Sequence, residues 1–262
     1  MLDFHNHLMP AVDDGARDDE DVRHALAAFV EQGVDAVIAT PHLDGSVTAQ
    51  PDLLAERLGA FDAAWERLSA IARDAHPGLE LDRGAEVKLD SPEPDLSDDR
   101  IRLAGTRFAL VEFPHLMIPP ESARALFTLA ADGWTPIVAH PERYAGIERE
   151  LDIVGEWRRV GARLQVNQGS VLGRYGSHAQ AIALALLERG WVDYLASDFH
   201  ARGTPHTAAC RAALLDRGAE EQAELLMKVN PVRIRAGEDP IPVPPLARKR
   251  GLVDRIFARF RS

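Results

Sequence analysis

One pattern constrains this fold more than any other: short apolar, partly β-branched runs recur along the chain, separated by longer stretches of helical spacing. The runs are Leu2–His5, Ala36–Thr40, Leu79–Val87, Phe108–Phe113, Pro136–His140, Arg163–Asn167 and Tyr194–Ser197. Between them, Val22, Leu26, Phe29 and Val30 share a helical stripe that Asp18 or Asp19 can cap. Leu54, Leu58, Phe61, Trp65 and Leu68 form a second stripe, and Ala181 to Leu187 a third helix stopped by Gly190. Strands alternating with helices imply a parallel sheet, because parallel neighbours need crossover connections. Seven such strands predict an α/β fold with a closed or nearly closed β/α barrel, with a doubly wound open sheet as the alternative. A chain of 262 residues, 46% hydrophobic, has the length and apolar content for one such domain.

The barrel is expected to occupy residues 1–238. Residues 239–262 read as a Pro-rich linker leaving the globular body, followed by a basic amphipathic tail. In that tail Leu252, Val253, Ile256, Phe257 and Phe260 follow helical spacing, with Arg255, Arg259 and Arg261 elsewhere on its surface. Such a helix packs on its own domain or a sister subunit, or, on the sharper reading, docks to a partner or an acidic membrane surface. The first residues lack the basic start and apolar run of a secretory signal, and the longest purely apolar stretch, Ala181–Leu187, is too short to span a bilayer. A single cysteine, Cys210, excludes an internal disulfide framework. The expected location is cytoplasmic. The net charge of -11 argues against a nucleic-acid-binding surface, which would be basic.

Function is written at the carboxyl ends of the strands. His5 and His7 follow the first, with Asp14 in the loop beyond. His42 follows the second, Glu86 ends the third, Glu112 the fourth, and His140 follows the fifth; Asp198 and His200 follow the last. In a β/α barrel these ends converge on one face, where active sites are built. An isolated H-x-H pair arises by chance, and one strand-end histidine is commonly a hydrogen-bonded core residue. Recurrence at strand after strand tips the balance toward metal ligation. Nine imidazole and carboxylate donors exceed the three or four that surround one catalytic metal, so two to three divalent transition metals are expected: Mn, Fe or Zn. The remaining histidines, His24, His76, His115, His178 and His206, read as surface residues, with His115 nearest a candidate ligand.

Such a cluster would polarise a phosphoryl oxygen and lower the pKa of a bridging water, giving hydroxide for in-line attack. Arg143 and Arg202, placed just after His140 and His200, could clamp the phosphate. For Arg143 the plain alternative is a surface ion pair with Glu142 or Glu148. Together with His42 these arginines are the residues expected to act on the phosphoryl group. Other nucleophiles fail: the cysteine-phosphatase loop would need arginine at position 216, which is Asp216, and neither a Gly-x-Ser-x-Gly elbow nor a Walker A loop occurs. Cys210 lies in Thr207–Leu215, which reads as a helix with the thiol in its packing.

Taken together, His5-x-His7, Asp13-Asp14-Gly15, Thr40-Pro41-His42, Gly84-x-Glu86, Val111-Glu112-Phe113, His140-Pro141-Glu142-Arg143 and Ser197-Asp198-x-His200 resemble the PHP (polymerase and histidinol phosphatase) superfamily. More narrowly they resemble its capsule- and exopolysaccharide-associated bacterial protein-tyrosine phosphatases, the CpsB-like group, and the ending through Gly237-Glu238 is similar too. The resemblance implies a distorted seven-stranded β/α (TIM-like, PHP) barrel holding three metals, often Mn. It implies one metal held by His5, His7, Glu86 and Asp198, a second by Glu86, Glu112 and His140, and a third by Asp14, His42 and His200. It further implies Arg143 as a phosphate binder and, as substrate, the phosphotyrosine tail of a bacterial tyrosine kinase that controls polysaccharide export. Two departures stand out: the loop Met9-Pro10-Ala11-Val12, with Ala16 after Gly15, and the early position of Arg202. The competing readings are a phosphatase for a small phosphomonoester such as histidinol phosphate, and an inactive metal-stabilised regulatory module.

Overall fold

The computed structural model describes residues 1–91, 93–148 and 151–247. Its strands, in chain order, are β1 (Leu2–Asp3), β2 (Ala36–Ala39), β3 (His42–Asp44), β4 (Glu80–Arg83), β5 (Glu86–Lys88), β6 (Phe108–Glu112), β7 (Thr135–Ala139), β8 (Arg163–Asn167) and β9 (Tyr194–Ala196). The helices are α1 (Asp19–Glu31), α2 (Gly45–Thr48), α3 (Pro51–Ala75), α4 (Ser122–Ala131), α5 (Asp152–Arg159), α6 (Gln168–Val171), α7 (Gly176–Glu188), α8 (Thr207–Leu215), α9 (Glu220–Glu224) and α10 (Asn230–Arg235). Every strand pair is parallel, as the alternation requires. The strands form two sheets, ordered β1-β2-β4 and β3-β5-β6-β7-β8-β9, rather than the expected continuous seven-stranded barrel.

The reason lies in two breaks along the chain. The third expected strand, Leu79–Val87, appears as two pieces, β4 then β5, interrupted at Gly84-Ala85, and the second, Ala36–Thr40, is followed after Thr40-Pro41 by a separate short strand, β3. The hydrogen bonds Gly84 N to Ala39 O and Glu86 N to Pro41 O, both 3.0 Å, carry the pairing across the breaks. Beyond Arg83 the segment around Leu103 enters beside β4 and β6. A Cβ on Gly84 would come within 3.2 Å of the Arg102 carbonyl and the Leu103 Cα, tighter than ordinary packing, so a larger residue here would have to push this segment back by a few tenths of an ångström. On the other side, a parallel bridge joins Asn6 to Phe199, with His7 N donating to Phe199 O (2.9 Å) and Asp198 N to His5 O (2.8 Å).

Side-chain alternation sorts the core into two regions. Leu2, Phe4, Ala36, Ile38, Phe108, Leu110, Ile137, Ala139, Tyr194 and Ala196 form an inner cluster, with Leu103 and Ile234 packed among them. The intervening residues, among them Val37, Val111, Val138, Leu164 and Leu195, pack in the larger cluster with the helices. Asp18 caps α1, its Oδ1 accepting from the Glu20 and Asp21 amides at 3.0 Å. Val22, Leu26 and Phe29 are buried, whereas Val30, expected on the same stripe, lies at its edge and is 40% exposed. Cys210 is buried in α8, and burial pushes its thiol up to about 12.

The segment expected to leave the body as a linker instead lies against it. Val243 and Leu246 are buried, Leu246 N donates to Leu187 O (2.9 Å), and Asn230 bonds both ways with Ile241. Apolar residues spaced between the prolines give this extended stretch something to bury. The amphipathic helix expected over 252–260 falls outside the described residues. Among the described residues no helix is long and apolar enough to cross a membrane.

Candidate metal centre

All nine strand-end candidates meet at one site. Glu86, fully buried at the start of β5, sits at its middle. Its Oε2 lies 3.1 Å from His5 Nε2, 3.1 Å from His42 Nδ1 and 3.5 Å from His7 Nε2, and its Oε1 is 2.9 Å from His140 Nε2. Asp198 Oδ1 faces His5 Nε2 and His7 Nε2 at 3.4 Å and His200 Nδ1 at 3.6 Å. Asp14 Oδ1 bridges His42 Nε2 (3.5 Å) and His200 Nε2 (3.3 Å). Glu112 reaches His42 at 3.5 Å and His140 only at 4.0 Å. Four groups therefore have ligand atoms within 4.8 Å of one another: His7-Asp14-His42-His200, His5-His7-Glu86, His42-Glu86-Glu112 and His5-His140-Asp198. The first contains the trio expected from the resemblance. In the others Glu112 groups with His42, and His140 with His5 and Asp198.

Local structure explains the convergence. His140 and Asp198 leave their strands with φ of 34° and 53°, left-handed values that turn each side chain back over the strand ends; such strain persists where surroundings over-determine it. The Asp14 loop is held by Ala16 N donating to His7 O (2.9 Å), and Gly15 has no room for a Cβ, which would fall 2.1 Å from that carbonyl. Behind β6, Tyr144 OH accepts from Phe113 N (3.0 Å) and its ring packs against Phe113 and Trp157, fixing the residue next to Glu112.

The donor set fits divalent cations on two counts. It is imidazole and carboxylate without thiolate. In addition His5 Nε2, His7 Nε2, His42 Nδ1 and Glu86 Oε2 are buried without a hydrogen-bond partner, although buried polar atoms are ordinarily satisfied.

In the metal-free protein, protons must take the place of metal charge. Burial alone lowers the His5 imidazole, but the Glu86 and Asp198 carboxylates outweigh it and raise the group to about 9. His7 is raised well above its ordinary value in the same way, by Asp13 and Asp198 against burial. Burial raises the Glu86 and Asp198 carboxyls, yet the surrounding histidines hold both well below the usual range. Glu112 is pushed up, by burial and by the neighbouring Glu86 charge. A histidine raised from about 6.5 stabilises the fold fully below that pH and loses the contribution as pH rises through the folded value. The chelated protein should therefore melt several degrees lower at pH 9.5 than at pH 6.5. Metal affinity should rise over the same interval, because binding displaces those protons. Calorimetric melting and Mn titration at both pH values check the two opposite slopes.

Three residues that the strand-end pattern did not single out support the site. Asp13 Oδ2 accepts from His7 Nδ1 (2.7 Å) and from the His42 amide (3.1 Å), and Gln165 and Asn167 contact His5 and Asp198. Asp13 was legible only as part of its motif; the two amides carried no signal. Arg143 Nη1 lies 2.6 Å from Asp198 Oδ2, with its guanidinium 4.5 Å from the centre of the Tyr175 ring, and among the described residues no ion pair joins it to Glu142 or Glu148. Arg202 Nη2 donates to the Asp14 carbonyl (2.5 Å), placing it on the rim as an anchor of that loop. His115 is exposed and outside the cluster. Beside His42 and Asp14 opens a groove of about 700 Å³, walled by Leu43, Val47, Leu53 and Ala60 with Arg57 and Lys88.

The family model described as capsular polysaccharide synthesis, CpsB/CapC, matches residues 1–235. The chain belongs to the CpsB/CapC family. Of its relatives, the tyrosine-protein phosphatase YwqE of Bacillus subtilis is 33% identical over 203 residues, covering 76% of this chain and 77% of that protein. The tyrosine-protein phosphatase CpsB of Streptococcus pneumoniae is 28% identical over 214 residues, covering 76% and 83%. A solved structure from work on YwqE and CpsB, described as unique metal-dependent tyrosine phosphatases, superposes with a TM-score of 0.75 at 29% identity, covering 95% of this chain and 100% of that one.

Proposed function

We propose that this chain is a metal-dependent protein-tyrosine phosphatase. The observation that carries the reading is the nine-residue histidine and carboxylate cluster, with Arg143 at its rim, in a chain of the CpsB/CapC family. His5, His7, Asp14, His42, Glu86, Glu112, His140, Asp198 and His200 would hold two to three divalent transition metals, with Mn favoured. Bound cations would neutralise charge on the phosphoryl oxygens and acidify the attacking water. Arg143, held by Asp198 and lying over the Tyr175 ring, orients the phosphoryl group with two of its donors. Arg202 fixes the Asp14 loop. His42, 30% exposed in its side chain, faces the groove, whose apolar wall suits an aromatic ring. A phenolate leaves with little help from a general acid, since the parent hydroxyl has a pKa of about 10.

The resemblance supports the phosphotyrosine tail of a bacterial tyrosine kinase as substrate, the relatives named tyrosine-protein phosphatases agree with a phosphotyrosine ester, and a cytoplasmic setting is proposed with them. The two sheets, linked at both breaks and at the Asn6–Phe199 bridge, are read as one distorted seven-stranded ring. The test is metal analysis coupled to a substrate panel. We expect two or more equivalents of transition metal and a loss on chelation of about 10³-fold, reversed by Mn. Phosphotyrosine peptide should be turned over faster than histidinol phosphate or sugar phosphates. Fewer than two equivalents, with no phosphotyrosine turnover after Mn addition, would sink the proposal.

A further inference from the structure

Among the described residues, β8 alone of the large sheet ends without giving a member to the nine-residue cluster. In their place stand two fully buried amides, Gln165 and Asn167. Their hydrogen bonds have a direction that can be read without ambiguity. The His140 backbone N–H can only donate, and its acceptor is Gln165 Oε1 at 3.2 Å. That fixes the amide's orientation, so the 3.0 Å contact between Gln165 Oε1 and His5 Nδ1 is a donation from Nδ1–H. His5 Nε2 is then the nitrogen left facing Glu86 and Asp198. The other end of the same amide, Gln165 Nε2, donates to Asn167 Oδ1 (2.8 Å), and Asn167 Nδ2 donates to Asp198 Oδ2 (2.8 Å). Arg143 occupies the same Oδ2, leaving Asp198 Oδ1 as the oxygen turned toward His5, His7 and His200.

We propose that Gln165 and Asn167 are positioning residues: a one-way amide relay that fixes His5 as the Nδ1–H tautomer and turns Asp198 Oδ1 to the metals. Uncharged amides suit the task. A carboxylate at 167 would stand against Asp198, and one at 165 could accept from His5 and His140 but not donate to Asn167. Partners of this kind orient ligands, and their loss costs metal affinity about 10–100-fold.

The inference rests on reading the cluster as a metal site, and its test uses metal binding and ring NMR rather than turnover. In the zinc-loaded full chain, long-range ¹⁵N–¹H spectra should show the His5 proton on Nδ1 and the metal on Nε2. Mn titration of Gln165→Leu and Asn167→Asp should show affinity reduced about 10–100-fold. Gln165→Glu should keep the His5 signature while still binding Mn more weakly than wild type, which a merely space-filling role would not produce. Where Gln165→Leu fails to fold, the wild-type spectrum and the other two variants decide. Metal on His5 Nδ1 in the wild type, or wild-type affinity in Gln165→Glu and Asn167→Asp, overturns the relay. A wild-type chain that binds metal without hydrolysing phosphotyrosine overturns the phosphatase reading and leaves the relay standing; one that binds no metal overturns both.

Discussion

Glu86→Gln should lower turnover of a phosphotyrosine peptide by at least about 10³-fold, the scale reached when one preorganised electrostatic group is lost from an active site. Four imidazoles, from His5, His7, His42 and His140, converge on this one fully buried carboxylate at 2.9–3.5 Å. Glutamine keeps the shape but removes the negative charge that would be shared between ions, so bound metal should fall together with activity. The metal-free variant should suffer as well. Its histidines, raised by the carboxylates around them, lose their main counter-charge, and uncompensated buried charge costs about 3–5 kcal/mol. Metal content and chelated melting temperature, measured beside kcat/KM, separate the two effects. Unchanged metal content with unchanged kcat/KM would remove Glu86 from the centre of the mechanism.

The second large effect is expected at Arg143. Arg143→Ala should lower kcat/KM by about 10²–10³-fold while metal content stays near that of the wild type. Arg143→Lys should recover only part, because an ammonium restores the charge but not the fork of donors or the guanidinium contact over the Tyr175 ring. The control is needed because Arg143 also holds Asp198 Oδ2 at 2.6 Å. Asp198 keeps a second donor there, Asn167 Nδ2, so loss of the arginine leaves the carboxylate oriented. If Arg143→Ala sheds its metals in proportion to its activity, the arginine is a support for Asp198 and not a phosphate binder.

How much of the fold and site was legible depends on what kind of signal each residue carries. Period-two and helical spacing are local, and they located the strand runs and the helices α1, α3, α7 and α8 within a few residues. The nine candidate ligands were readable because each is of a reactive type and each follows an apolar run. The break at Gly84-Ala85 was not, since the segment packed closely against Gly84 arrives some twenty residues later in sequence. Val30 and the proline-spaced stretch after Glu238 failed for a similar reason. Whether an apolar residue is covered depends on neighbours the local pattern does not contain.

The sequence by itself determined that strand ends would gather five histidines and four carboxylates on one face, because parallel topology leaves those ends no other arrangement. Only the tertiary structure decided which of them share a position. Glu86 lies among four imidazoles, Glu112 beside His42 more closely than His140, and Arg143 on Asp198 instead of its sequence neighbours. Only the fold, likewise, brought the ordinary amides Gln165 and Asn167 under His5 and Asp198, from 160 and 31 residues away. A hydrogen bond is directional and ångström-scale. Its partners are set by where strands leave the sheet, and no spacing along the chain encodes that distance.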